Sequence, residues 1–308
     1  MARTRVIIDT DPGVDDAIAI LLALASPELD VLALTTVTGN VGLQSTTLNA
    51  RRLVELAGRP DVIVAAGCDE AIAGPTKYSG SVHGVDGLGD LIWDEPTVPL
   101  HGEHAVELMH ELIESGPLSI VAIGPLTNLA VLLARYPGVE RGVDHVVVMG
   151  GASFEGNVTP AAEFNVWADP EAARRVFDAA WRITIMPLDL THQATLSDDD
   201  VAYLRGLDTE VGRRCADMLE PYAAFHDAWY GNRDVFMHDA MAVYELIDPG
   251  AISKQGVQVS VEVGGDHSRG ATWFDRRRVH AASTTRVGLD VDNATFVAML
   301  RDRLATYR

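Results

Sequence analysis

Short apolar runs rich in β-branched residues alternate with amphipathic helical stretches through roughly the first 190 residues of the chain. Strands are predicted over 5–9, 31–37, 62–66, 118–123, 145–149 and 183–186, and helices over 15–25, 43–57, 126–136 and 170–180. Strands this uniformly apolar have no polar face to offer water, so both faces must be covered. The strand–helix–strand order then calls for a parallel sheet. After Leu190 the pattern shifts to helical segments over 198–246, two β-like runs over 257–263 and 278–287, and a closing helix over 292–306. No repeat, linker or low-complexity tract divides the chain. The expectation is one α/β domain over 1–308: a mostly parallel central sheet flanked by helices, a Rossmann-like core, and helical and short β elaborations in the C-terminal third. In such sheets ligands bind beyond the carboxyl ends of strands.

The first strand ends in Asp9-Thr10-Asp11-Pro12-Gly13-Val14-Asp15-Asp16, four carboxylates within eight residues. Pro12-Gly13 forces a turn that folds Asp9 and Asp11 back towards Asp15 and Asp16 at the next helix start. Helix capping accounts for the last two acids but not for the first two. A hard divalent cation with oxygen ligands accounts for all four. The spacing is not that of an EF-hand, and no Walker-type loop is present. Haloacid-dehalogenase phosphatases, which use magnesium, also begin with Asp-x-Asp after a strand. They need a downstream Lys, and the candidate for that place, Lys77, sits in a loop.

The net charge of −20 disfavours nucleic acid and anionic membranes as partners, but not a small neutral ligand or a cation. No apolar run is long enough for a membrane span, and the N-terminus lacks a signal-peptide pattern. The expected location is therefore cytoplasmic, where the sequons at Asn157 and Asn293 carry no weight. Cys68 and Cys215 read as reduced structural thiols.

The motif Asp-Thr-Asp-Pro-Gly-Val-Asp-Asp-Ala resembles the N-terminal signature of the inosine-uridine-preferring nucleoside hydrolases. The likeness continues through Thr36-Val37-Thr38-Gly39-Asn40, Val82-His83-Gly84, Gly124-Pro125-Leu126-Thr127-Asn128, Val148-Met149-Gly150-Gly151, Ala162-Glu163-Phe164-Asn165, Leu188-Asp189-Leu190-Thr191-His192 and Met237-His238-Asp239. The resemblance implies a nucleoside-hydrolase-like fold and a calcium ion held by the carboxylates of Asp11, Asp16 and Asp239 and the main-chain carbonyl of Ile123. It implies Asp11 as general base for the attacking water and His238 as the acid for the departing base. Asp15, Asn40, Met149, Asn157, Glu163 and Asn165 would form the ribose pocket, and His83, Phe225 and Trp229 the base pocket. It further implies a nucleoside substrate, a role in salvage and a homodimer or homotetramer.

The chemistry agrees with these residue types. Cleaving an N-glycosidic bond builds cationic character on the sugar and negative charge on the base, so the sugar needs acceptors, the water a base and the leaving group an acid. Read alone, the residues stay ambiguous. The stretch 157–165 suits a polar loop, His83 between Gly80 and Gly84 a surface loop or a mobile lid, His238 a buried structural histidine, and Phe225, Trp229 and Tyr230 core positions. Asp189 and His192 receive no role. A non-catalytic nucleoside-binding protein is the remaining alternative.

Overall fold

The computed structural model describes residues 3–79 and 82–308. Gly80, read above as a flank of His83, and the first two residues of the N-terminus lie outside the described residues. In chain order the elements are β1 (Thr4–Thr10), α1 (Val14–Ala25), β2 (Leu29–Thr36), α2 (Leu43–Leu56), β3 (Ile63–Ala66), α3 (Ala105–Glu114), β4 (Leu118–Ala122), α4 (Thr127–Arg135), β5 (Val143–Met149), α5 (Phe164–Ala168), α6 (Pro170–Phe177), β6 (Ile183–Met186) and α7 (Leu188–Thr191). They continue with β7 (Thr195–Leu196), α8 (Asp198–Gly206), α9 (Glu210–Tyr230), β8 (Val235–Phe236), α10 (Ala240–Ile247), β9 (Ile252–Gly256), β10 (Gln258–Val261), β11 (Thr272–Asp275), β12 (Thr285–Val291) and α11 (Asn293–Leu304).

Eight strands form one sheet in the order β3-β2-β1-β4-β5-β6-β12-β9. All neighbours are parallel except the outermost pair, β12 with β9. Successive residues of β1 go to opposite faces. Val6 and Ile8 join the apolar cluster made with α1, α9, α10 and α11, and Ile7 joins the one made with α3, α4 and α6. Both clusters exclude water, which is why the strand is apolar throughout. The order reverses at β1: the chain winds one way to β2 and β3, then crosses back to β4, β5 and β6. The crevice outside the carboxyl ends of β1 and β4 is the expected ligand site of such a sheet.

α1 is apolar nearly all round, and its residues from Val14 to Leu24 are buried. A helix of that kind belongs in the core. Its position carries Asp15 and Asp16, in its first turn, out of water.

Two readings from sequence need correction. The run 278–287 is not one strand: Arg278–His280 makes a 3-10 turn, and β12 starts only at Thr285. β9, reading Ile-Ser-Lys-Gln-Gly, was not anticipated, because an antiparallel edge strand needs no apolar run and only Ile252 and Gly256, at its two ends, are buried.

Candidate active site

The turn after β1 gathers its acids by hydrogen bonding inward. The Gly13 N–H and the Thr10 hydroxyl donate to the two oxygens of Asp16 at 2.9 and 2.6 Å. From the loop after β2, Asn40 donates its backbone N–H to Asp11 Oδ2 at 2.6 Å and its amide to Asp16 Oδ2 at 3.1 Å. Asp11 Oδ1 is buried with no hydrogen-bond partner. Two glycines make room for this carboxylate: a Cβ on Gly39 would fall on Asp11 Oδ2, and one on Gly124 would stand 2.6 Å from Oδ1. Asp9 lies deeper. Thr35 and Asn128 donate to its Oδ1 at 2.7 and 2.8 Å, which ties β1 to the segments on either side, and burial pushes its pKa to about 7.

Asp239, immediately before α10, completes the cluster from far along the chain. One oxygen each of Asp15, Asp16 and Asp239 lie within 4.8 Å of one another, all three residues buried. Burial first, and mutual repulsion second, push Asp16 up to about 6; burial takes Asp15 to a similar value and, with its acidic neighbours, lifts Asp11 and Asp239 well above the usual carboxylate range. The resemblance implied Asp11, Asp16 and Asp239 as carboxylate ligands. The structure groups Asp15 with the latter two, and the Asn40 N–H draws Asp11 Oδ2 aside. The unpartnered Asp11 Oδ1 and the all-oxygen donor set fit a hard divalent cation, which would relieve both the repulsion and the missing contact.

The sugar-side wall comes from the segment after β5. Glu163 caps α5: its carboxylate accepts from the N–H groups of Asn165 at 2.7 Å, Gly151 at 2.9 Å and Val166 at 3.1 Å. The Asn165 amide donates to the carbonyls of Ile123 at 3.0 Å and Met149 at 3.3 Å, joining the ends of β4 and β5. Asn157 Oδ1 accepts from the Phe164 N–H at 2.9 Å and stands at the more open edge. The preceding Gly156 has no substitute, because a Cβ there would meet the backbone of Thr159 and Ala162.

At the other end sit histidines and aromatic rings. His83 Nδ1 accepts from the Val14 N–H at 3.2 Å and lies 3.8 Å from Asp15, and burial pushes its pKa down to about 4. His238 Nδ1 pairs with the Thr191 hydroxyl at 2.7 Å. Burial, together with His192, His226 and His83, holds its pKa well below the ordinary histidine value. Tyr222, Phe225, His226, Trp229 and Tyr230 recur at helical spacing, so one face of α9 closes the cavity. Phe225 and Trp229 stack with ring centres 5.8 Å apart, and Trp229 is 67% exposed. These rings edge the mouth rather than fill the core.

The site residues expected from sequence line one cavity of about 360 Å³, except Asp11 and Asp16, which are bonded to a residue that does, Asn40. Every site residue expected from sequence is thus brought together. Sequence reasoning missed Tyr78, Val82, Val158, Phe164, Tyr222 and His226, which also line the cavity. The face spacing on α9 was the available signal for Tyr222 and His226. Asp189 proves structural, accepting the Ser153 N–H at 2.7 Å, while the ring of His192 packs 4.4 Å from that of Phe236.

A parallel sheet with an acidic crevice at its reversal point and a histidine- and aromatic-lined wall opposite is a site suited to a hard cation beside a small ligand with an aromatic part. Residues 6–298 match the inosine-uridine preferring nucleoside hydrolase family, and the chain belongs to it. It is therefore an enzyme of a metal-dependent family that hydrolyses the N-glycosidic bond of ribonucleosides. A pyrimidine-specific ribonucleoside hydrolase RihA from Photobacterium profundum is 39% identical over 98% of this chain and 99% of its own. Among solved structures, a plant nucleoside hydrolase, the PpNRh1 enzyme, superposes with a TM-score of 0.94 at 34% identity, covering 99% of both chains. A purine-preferring ribonucleoside hydrolase from Gardnerella vaginalis superposes at 0.93 and 30% identity, covering 98% of both. Among the described residues no helix is long and apolar enough to cross a membrane.

Proposed function

We propose that this enzyme hydrolyses purine or pyrimidine ribonucleosides to ribose and free base in a calcium-dependent reaction serving nucleoside salvage. The reading is carried by one observation: a buried carboxylate oxygen without a partner, Asp11 Oδ1, beside three converging carboxylates at the sugar end of a cavity whose other end is histidine and aromatic. Asp11, Asp16 and Asp239, with the Ile123 carbonyl, would hold the calcium ion, and Asp15 stands close enough to share that duty. When bound, the ion supplies a positive centre that orients water and sugar hydroxyls.

Asp11 takes the proton of the attacking water, its carboxylate being fixed at Oδ2 by the Asn40 N–H and left open at Oδ1, on the side where the ion and its water would sit. Asp15, Asn40, Asn157, Glu163 and Asn165 hold the ribose, with Met149 packed beneath it. Glu163 is already bonded to three backbone N–H groups, which fixes its orientation before substrate arrives. Their acceptors favour positive charge on the sugar as the bond to the base lengthens. His238 assists the departing base. Burial holds its pKa well below the ordinary histidine value, so the ring is neutral at pH 7 and offers a hydrogen bond rather than a full proton: in the tautomer in which the Thr191 hydroxyl donates to Nδ1, the other ring N–H donates to the base as negative charge builds there, and solvent completes the protonation. His83, Phe225 and Trp229 contact the base. The relatives named above differ between pyrimidine and purine preference; here the segments around His83 and Phe225, which would contact the base, are where selectivity would be set.

Assay of inosine, uridine, cytidine, adenosine and guanosine for free base and reducing sugar, with and without chelator, tests the reading. Turnover that vanishes with chelator and returns with calcium is expected. Full turnover after chelation, or release of phosphate from phosphate esters with nucleosides left untouched, rejects it. We further place the enzyme in the cytoplasm as a homodimer or homotetramer. Two free thiols, Cys68 and Cys215, both pushed up to about 12 by burial, support a reducing compartment, and the family likeness supports the assembly.

A further inference from the structure

Asn49 on α2 is fully buried and touches none of the groups assigned above, yet it joins the two halves of the site. Its amide donates to the Pro12 carbonyl, in the acidic turn, at 3.2 Å and to the Asp86 carbonyl, in the loop that carries His83, at 2.7 Å. The orientation of that amide is set by Arg52, which donates to Asn49 Oδ1 at 3.2 Å. The clamp is tight: Gly87, at φ +91°, has no room for a Cβ, which would stand 2.9 Å from the Asn49 nitrogen and 3.0 Å from the Pro12 carbonyl oxygen.

The loop beyond His83 is internally knit, so it moves as a unit. The Asp90 carboxylate accepts from Val85 at 2.6 Å, the Asp86 carboxylate accepts from Leu88 at 2.8 Å and Asp90 at 3.0 Å, and the Gly89 N–H donates to the His83 carbonyl at 2.9 Å. A unit of this kind needs fastening at few points. Asn49 is a buried one, spending both amide protons on two separate segments.

We infer that Asn49 is a positioning residue: it locks the His83 loop to the acidic turn, so that the base-side and sugar-side walls of the cavity are held in register before substrate binds. The inference rests on the hydrolase reading for its kinetic readout only. Loss of the clamp leaves the acids and His238 untouched but lets His83 drift, so the cost falls on substrate binding.

The test uses the full-length enzyme. Asn49→Ala is expected to raise KM for a hydrolysed nucleoside about tenfold, the size of a lost buried hydrogen-bonded contact, with kcat changed far less. Asn49→Asp, which keeps the shape and discards both donors, should do the same and serves if the alanine variant folds poorly. Because Asn49 acts through His83, the double variant Asn49→Ala/His83→Ala should lose no more kcat/KM than His83→Ala alone. Multiplying losses, or unchanged KM in folded variants, overturn the inference. Hydrogen exchange gives a second arm independent of turnover: amides of residues 84–90 should exchange faster in the variants while those of β1 and β4 stay protected. Uniform acceleration over the whole chain, or none in that loop, overturns it too. Should the wild-type protein fail to cleave any nucleoside, the functional reading falls and the exchange arm still decides the clamp.

Discussion

Asp11 shows how a single side chain is made available. Its Oδ2 is anchored by the Asn40 N–H beside Gly39, while Oδ1 is buried and unpartnered beside Gly124. An unsatisfied buried carboxylate oxygen costs stability, and such a cost persists where function requires it. Replacing Asp11 with Ala should therefore abolish turnover, by about a thousandfold or more, with little loss of thermal stability; steady-state kinetics alongside a melt checks both. His238 differs, because it serves the leaving group. His238→Ala should slow inosine and uridine far more than p-nitrophenyl riboside, whose phenolate departs without a proton. Equal losses on the two substrate types would remove that role. Deoxyribonucleosides, lacking a hydroxyl that Asp15 is placed to hold, should be poor substrates for the wild-type enzyme.

At the scale of elements, the parallel strands were legible because burial on both faces leaves an apolar run no other place to go. The same sheet contains a polar pair that the runs concealed: His145 of β5 pairs with the Thr184 hydroxyl of β6 at 2.8 Å. Burial pushes the His145 pKa down to about 4. Between that value and the usual 6.5 of an unfolded chain, the unfolded state takes up a proton that the folded state refuses. Stability from this group is complete above pH 6.5 and is lost as pH falls towards 4. Urea unfolding of the wild type and His145→Gln should thus diverge on acidification, the wild type losing about 2 kcal/mol more between pH 7 and pH 5. Parallel pH profiles would rule out that contribution. The edge strand β9 and the 3-10 turn at Arg278–His280 escaped notice for a different reason. An edge strand pairs on one side only, and the middle of β9 is polar, with Lys254 held by the Glu245 carboxylate, so no apolar run marks it in the sequence.

For the whole molecule, the acids of the turn after β1 and Asp239 are pressed together by packing that has nothing to do with catalysis: α1 and α10 are buried helices of the same apolar cluster. The fold alone brings these charges together, and a bound cation would relieve them. Calcium at a hundredfold excess over its dissociation constant should raise Tm by about 5 °C, and chelator should reverse the change; a melt indifferent to both would argue against the site. The carboxylate motif was readable in the chain, because the sheet architecture follows from local periodicity and sites of this class lie at strand ends, whereas the asparagines and the His238-Asp239 pair were legible only through the family resemblance. Tertiary structure alone decided which carboxylates face one another, that Asp11 keeps one oxygen free, that His238 is held neutral, and that one face of α9 forms the base wall. Those outcomes depend on distances between residues remote in sequence and on how completely water is excluded, and neither quantity is encoded in the pattern of any single segment.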